Sequence, residues 1–528
     1  MITVPFAEFS GREEQVSESK VRDELRERVS SDVRPLLATT RNATATLLAL
    51  LLALQTAAML TLQNGVFQDE AFYMYEGRWT LAKLLTGATM PEAFGMYTSG
   101  SPYGYPILAN LLDQVGGLQL ARAFSMICAL GVTVGVFQAA RGLWGDRVGL
   151  LSAAVVSTSA SLLFVGRLAT HDALATLLLA GALAIAMRIG GRPALRGLAV
   201  GVLLGAAVLT KYAAAMFGLL LLVAFLVRAF GRGGRAHGLR AVGGLAASAS
   251  VISATAYLLT RIDDTLVQGV LATTADRQVH GEGDPVWILL HALSLTAVPL
   301  VLVAIGTIVI LRTRLPWHEK TVSLVLAGAI LVAPAYHTLK VEPTSLEKHL
   351  AYGLLLAAPV AGFAIARLAP MTRSTRWRSL VVSFAVLALP AAVNVDLARG
   401  LYSAWPDPAG ELLVLRQVVR PDTSRVLSEE VEVAKYGLTP NPASPQQLTG
   451  TDYFEYTDHS GQTLSGLPAY RAAIADGYFD VVAFRNGPGK AVASGVADLL
   501  PVRYTLVADL PFSISSGEGS YRVWRLKT

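Results

Sequence analysis

Apolar residues in this chain run in long blocks instead of recurring on one face of short elements. Eleven blocks stand out, at about 44–62, 118–138, 148–165, 170–187, 196–210, 213–230, 241–259, 286–311, 321–337, 350–366 and 379–396. Most are close to the length a helix needs to cross a hydrocarbon layer roughly 30 Å thick, at about 1.5 Å per residue. Very short turns separate the blocks that meet at 166–169 and 211–212. After about residue 398 the pattern changes. Arg425-Val426-Leu427, Asp480-Val481-Val482-Ala483-Phe484 and Tyr521-Arg522-Val523-Trp524 read as short strands, and Leu467 to Gly477 as a helix between them. The expected architecture is a polytopic α-helical membrane protein of about eleven spans with a small C-terminal α/β domain. Its segments are a charged N-terminal arm (1–41), a membrane module (42–398) with a long loop at 65–117, and the C-terminal domain (399–528).

Composition agrees. Hydrophobic residues make up 53% of the 528 and charged residues 16%, which excludes an ordinary soluble domain, where about 25% would be charged. The net charge of +6 does not point to nucleic acid, because the basic residues sit in short connections between apolar blocks, where they set topology. One set of connections holds sixteen of them, Arg141, Arg188, Arg228, Arg312 and Arg367 included; the alternating set holds eight in longer segments. The richer set and the arm 1–41 are therefore read as cytoplasmic. Loop 65–117 and the domain 399–528 then face outward from a cell membrane. The preference for Arg over Lys, with abundant Ala, Gly, Leu and Val, points to a GC-rich bacterial genome, and so to a bacterial inner membrane. The first block begins some forty residues in, so it reads as a retained anchor. A lone cysteine, Cys128, forms neither an intrachain disulfide nor a cysteine metal cluster.

Ionisable and aromatic side chains gather in the outward connections. The first loop carries Asp69, Glu70, Tyr73, Glu76, Arg78, Tyr97 and the run Ser101-Pro102-Tyr103-Gly104-Tyr105-Pro106. Later turns carry Arg167, His171 and Asp172, then Lys211-Tyr212, then Lys340, Glu342, Glu347, Lys348 and His349. Each has a plain structural reading: Asp172 as a helix cap, Lys211 as a snorkelling anchor, the tyrosines as interfacial aromatics. Asp276, Arg277, His280, Glu282 and Asp284 have a metal-like composition, but Gly281 and Gly283 make that stretch a flexible loop. Recurrence on one side at the ends of spans is what points to a site. A transporter would instead place ionisable groups near the bilayer midplane; that reading and a non-catalytic scaffold are the rivals.

Asp69-Glu70-Ala-Phe-Tyr after the first block, Gly-Arg-Leu-Ala-Thr-His-Asp172 before the fourth, Thr210-Lys211-Tyr212, and Glu347-Lys348-His349-Leu before a Pro-containing block resemble the GT-C glycosyltransferases. The likeness is to the branch of protein O-mannosyltransferases and lipid A aminoarabinose transferases, and covers roughly 44–400. It implies inverting transfer of a hexose or pentose from a polyprenyl monophosphate donor to a protein, glycan or lipid acceptor. Polyprenyl phosphate leaves readily, so such an enzyme needs a carboxylate base for the acceptor hydroxyl and cations for the departing phosphate. The resemblance places Asp69 as the base in a catalytic set with Glu70, which would orient Asp69 or anchor the loop, and Asp172, which with His171 would position the acceptor or share a divalent cation with Asp69. Arg78, Lys211, Lys348 and His349 would contact the phosphate, and Tyr73, Tyr103, Tyr105 and His171 would line the substrate pocket. The resemblance leaves a divalent metal ion open as cofactor, and Asp69, His171 and Asp172 have the composition to hold one. In aminoarabinose-type members a lysine often precedes the proline-rich segment; here Ser101 stands there.

Overall fold

A backbone in hydrocarbon must satisfy its N–H and C=O groups within its own segment, and the apolar blocks accordingly fold as helices. The computed structural model of the protein describes residues 42–188, 190–274, 283–369, 376–420, 423–438, 447–485, 487 and 490–527, with the backbone alone at 376–386. The arm 1–41 and the loop residues Asp276, Arg277, His280 and Glu282 lie outside the described residues.

The chain opens with α1 (Asn42–Leu60) and α2 (Gln68–Thr86), the helix of the first loop. The bundle continues through α3 (Tyr105–Trp144), α4 (Asp146–Ser157), α5 (Ala160–Val165), α6 (His171–Met187), α7 (Pro193–Thr210) and α8 (Ala214–Ile262). After the short α9 (Leu266–Thr273) come α10 (Pro285–Arg312), α11 (Trp317–Gly328), α12 (Val332–Lys340), α13 (Leu346–Leu368) and α14 (Arg376–Tyr402).

Each expected block falls on helix, but not one block to one helix. Among the described residues, seven helices are long and apolar enough to cross a membrane: α1, α3, α7, α8, α10, the continuous Trp317–Lys340 segment and α13. Two expected spans, 213–230 and 241–259, are the halves of the 49-residue α8, which breaks at Gly234 (φ 71°, ψ −175°). Only glycine reaches that backbone region at no steric cost. The block 148–165 is divided between α4 and α5 at Ser159, whose hydroxyl accepts from Leu162 N–H. The chain is a multi-pass membrane protein. Its central helix is α13, whose most hydrophobic window is 94% buried in the protein.

Past α14 the chain forms α15 (Ala409–Val418), β1 (Val426–Ser428), α16 (Val431–Leu438), β2 (Leu448–Thr449), β3 (Glu455–Thr457), β4 (Thr463–Ser465), α17 (Leu467–Ala475), β5 (Val481–Phe484), β6 (Tyr504–Ile514) and β7 (Gly517–Leu526). The boundary expected at 398/399 falls inside α14, and the strand-containing part begins after it. Five strands make one sheet in the order β2-β1-β5-β7-β6, and β3-β4 is a separate hairpin. Strand β1 runs parallel to β2 and β5, whereas β7 is antiparallel to β5 and β6.

What matters for a site is where this small domain rests. Val431, Val433 and Ala434 of α16 share a core with Ala71, Met74 and Tyr105 of the first loop. Lys435 Nζ lies 2.7 Å from Glu92, and Tyr436 donates to Asp113 at 2.8 Å. The domain clamps the loop that carries Asp69.

Candidate active site

Asp69 and Glu70 are adjacent in sequence and part company in space. Both lie in the first turn of α2, where the helix dipole favours carboxylates. Glu70 is completely buried. Its carboxylate accepts from Arg122 Nε at 2.8 Å and Nη2 at 2.6 Å, and from the backbone N–H groups of Phe67 (2.9 Å) and Ala169 (2.7 Å). Arg122 also donates to the carbonyls of Asn64 and Gly65. This bidentate pair, buried on both sides, fastens the start of the first loop to the turn before α6. Glu70 therefore holds the backbone and does not touch Asp69.

Asp69 turns the other way, into a cavity of about 1000 Å³. Its carboxylate, still 35% exposed, forms an ion pair with Lys348 of α13. Lys211, Tyr73, His349, Ser99 and Glu432 line the same cavity, where α2, α8, α9, α12 and α13 converge with α16 of the small domain. Lys211 follows the last residue of α7 and donates to Ser99 Oγ at 2.6 Å. Two backbone bonds bring the segments together: Ser101 N–H to Leu209 O and Tyr212 N–H to Ser99 O. Between them Gly100 is packed so closely that a Cβ would lie 2.0 Å from Thr210 O and 2.9 Å from His171 Nδ1.

Behind Asp69 sits a layer of buried polar groups. Tyr73, one turn on, meets the His171 ring edge-on at 4.0 Å, and Tyr105 lies 5.1 Å from the same ring. Burial, reinforced by Asp69, Asp172 and Glu76, holds the Tyr73 phenol protonated far above its ordinary range. His171 Nδ1 is 2.6 Å from Thr210 O, so in the neutral ring the proton sits on Nδ1 and Nε2 is an acceptor. The same logic runs through a histidine pair: His337 Nδ1 faces Glu342 O at 2.6 Å, and its Nε2 faces His349 Nδ1 at 2.9 Å. With both rings neutral, the proton positions leave His349 Nε2 as an acceptor toward the cavity. Asp172, fully buried, accepts from Tyr352 at 3.1 Å, and the cations that act on it most strongly are Lys211 and Lys348.

Not every expected residue joins this group. Arg78 is nine residues beyond Asp69 on α2, which turns it to the opposite side of the helix, and it is not among the cavity-lining residues. Tyr103 accepts from Lys83 (3.2 Å) and donates to Asp263 (3.3 Å), bracing the loop away from the cavity. The expected metal triad is corrected: among the described residues no three His, Cys, Asp or Glu side chains gather to hold an ion, because Asp69 turns to Lys348 and Asp172 to Tyr352. Asp284 instead caps α10 by accepting from Val286 N–H. Arg122, His337, Ser99, Tyr352 and Glu432 went unread in the sequence. Arg122 and His337 each lie inside or beside an apolar block, and a charge at such a position is the signal that could have found them.

Comparison with proteins of known structure places this geometry. A family model described as dolichyl-phosphate-mannose-protein mannosyltransferase matches residues 102–272. ArnT from Cupriavidus metallidurans, in a crystal structure with undecaprenyl phosphate bound, aligns over 90% of this chain and 97% of its own at 14% identity, with a TM-score of 0.59. The fold is that of the GT-C glycosyltransferases. The oligosaccharyltransferase of Archaeoglobus fulgidus, tethered to an acceptor peptide, aligns over 90% of this chain and 74% of its own at 12% identity and a TM-score of 0.55. The arabinofuranosyltransferase AftD from Mycobacteria aligns over 91% of this chain and 40% of its own, at 12% identity and a TM-score of 0.51. Comparison with curated protein sequences finds no match.

Proposed function

We propose that this GT-C protein is an inverting glycosyltransferase that moves a hexose or pentose from a polyprenyl monophosphate to a hydroxyl of a protein, glycan or lipid on the extracytoplasmic face. The observation that carries the reading is the Asp69–Lys348 pair at the wall of a large cavity, with Lys211 lining the same cavity. A carboxylate and two lysines are the groups this transfer needs, and they come from three distant parts of the chain.

The acceptor oxygen attacks the anomeric carbon as its proton passes to the Asp69 carboxylate. The bond from that carbon to the phosphate oxygen breaks, and polyprenyl phosphate departs with the electron pair. Charge grows on the leaving phosphate, where Lys211 and Lys348 stabilise it most. Lys211 also supplies the cation that Ser101 lacks, because the bonds between 99–101 and 209–212 set it beside the proline-rich segment. Tyr73 and His171 shape the floor under the sugar. Asp172, held by Tyr352, balances the two lysines and keeps them in place; Glu70 acts only through the backbone it fastens.

Two structural neighbours were determined with such lipids, ArnT with undecaprenyl phosphate and the archaeal oligosaccharyltransferase with dolichol phosphate, which supports the donor class. Purified protein offered a panel of polyprenyl-phosphate sugars and mixed acceptors should release polyprenyl phosphate with at least one donor. Neither turnover nor binding across the panel would contradict the proposal and return weight to a transporter.

A further inference from the structure

A second pocket lies at the other end of the same helices. Helix α6 runs from His171, packed behind the cavity against Tyr73, to Met187, 17 residues or about 25 Å away, close to the thickness of a bilayer core. There Arg188, Arg196, Arg228, Arg232 and His237, with Gly190, line a cavity of about 420 Å³. Among the described residues one carboxylate reaches the group, Glu319, which lies 3.4 Å from Arg232.

Basic residues at helix ends usually do no more than set topology, and in that role they point into water. Arg228 does not. It is only 3% exposed, and its Nη2 donates to the carbonyls of Gly142 (3.0 Å) and Met187 (3.1 Å). Its Nε and Nη1 are buried with no hydrogen-bond partner, as is Arg196 Nε. A buried guanidinium with unmet donors is costly unless an acceptor arrives. The neighbours are themselves cations, so the missing acceptor is an anion. Arginine-rich pockets between membrane helices suit phosphate headgroups. Leu195, Phe230 and Leu239, all exposed, give acyl chains an apolar surface beside it.

We infer that this arginine pocket binds a phosphate-bearing anion, an anionic phospholipid headgroup or free phosphate, at the membrane face opposite the Asp69 cavity. The full-length protein can be moved into phosphatidylcholine nanodiscs with and without phosphatidylglycerol, and separately titrated in detergent with sodium phosphate against sodium chloride at matched ionic strength. Native mass spectrometry reads retained lipid, and thermal unfolding reads stabilisation. Wild type should retain phosphatidylglycerol and melt higher with it. The Arg228→Gln/Arg196→Gln protein should lose about tenfold or more in occupancy, the scale of one lost charge-assisted contact. Should Arg228→Gln misfold, Arg188→Gln/Arg232→Gln, which alters two exposed positions, should show the same loss. Stabilisation by inorganic phosphate without lipid retention would assign free phosphate as the ligand. No lipid retained and no phosphate-specific shift in wild type would overturn the inference, as would full retention in both double variants.

Discussion

The two ends of helices α6, α7 and α8 carry different chemistry. At the Asp69 end, carboxylates and lysines alternate: Asp69 pairs with Lys348, and Asp172 feels Lys211 and Lys348 most strongly among the cations. Charge there is nearly balanced, and the carboxylate proposed as proton acceptor stands in an open cavity. At the arginine end the charge is almost all positive, with one carboxylate among four guanidinium groups. Binding an anion needs only donors; moving a sugar also needs somewhere for a proton to go. The difference separates the proposed reacting site from the proposed holding site within one bundle.

The comparison breaks most sharply at Asp69. Asp69→Asn should lower transfer by about 10²–10⁴-fold, the usual worth of a general base, whereas the arginine-end substitutions should leave the chemical step intact. Gly100→Ala comes next. Its Cβ would press on Thr210 O and His171, so turnover should drop roughly 10²-fold, the scale of an ångström of misplacement, while the protein still inserts. Lys211→Ala should raise the donor KM about tenfold with less effect on the acceptor KM; unchanged donor KM and kcat would make Lys211 only an anchor.

The smallest effect is on pH dependence. Glu76, buried on α2 and hydrogen-bonded to Thr98 at 2.5 Å, has its pKa pushed up from 4.5 to about 8, chiefly by burial. Between those values the folded protein holds a proton that the unfolded chain has lost, so the Glu76 contribution is full below pH 4.5 and fades as pH rises through about 8. Glu76→Gln should flatten that part of the thermal-stability profile and be the more stable form above pH 8. A profile identical to wild type would show that Glu76 stays ionised. Arginines do not titrate in this range, so the opposite pocket adds no comparable slope.

Much of this was legible in the chain. Apolar blocks announced the helices, since hydrocarbon leaves the backbone few alternatives, and Arg425–Leu427, Asp480–Phe484 and Tyr521–Trp524 fell on β1, β5 and β7. Span boundaries were harder: the joint at Gly234 and the break at Ser159 depend on single residues inside otherwise uniform runs. Within the site, Asp69, Lys211 and His349, all expected from the sequence, line one cavity, and Lys348 joins them through its ion pair with Asp69. Which of two adjacent carboxylates faces it came from the family resemblance and not from the residues themselves. In the fold that choice depends on Arg122, which lies 52 residues away in sequence and claims Glu70. Arg78 and Tyr103 are in the right loop, yet helix rotation and a brace to Asp263 turn them elsewhere.

The central claim is that Asp69 takes the acceptor's proton while the lysines hold the donor. Single-turnover transfer in nanodiscs, with donor affinity measured on the same samples of wild type and Asp69→Asn, tests it most directly. The account predicts similar donor affinity in both and release of polyprenyl phosphate in wild type alone. Asp69→Asn turning over at the wild-type rate would contradict it.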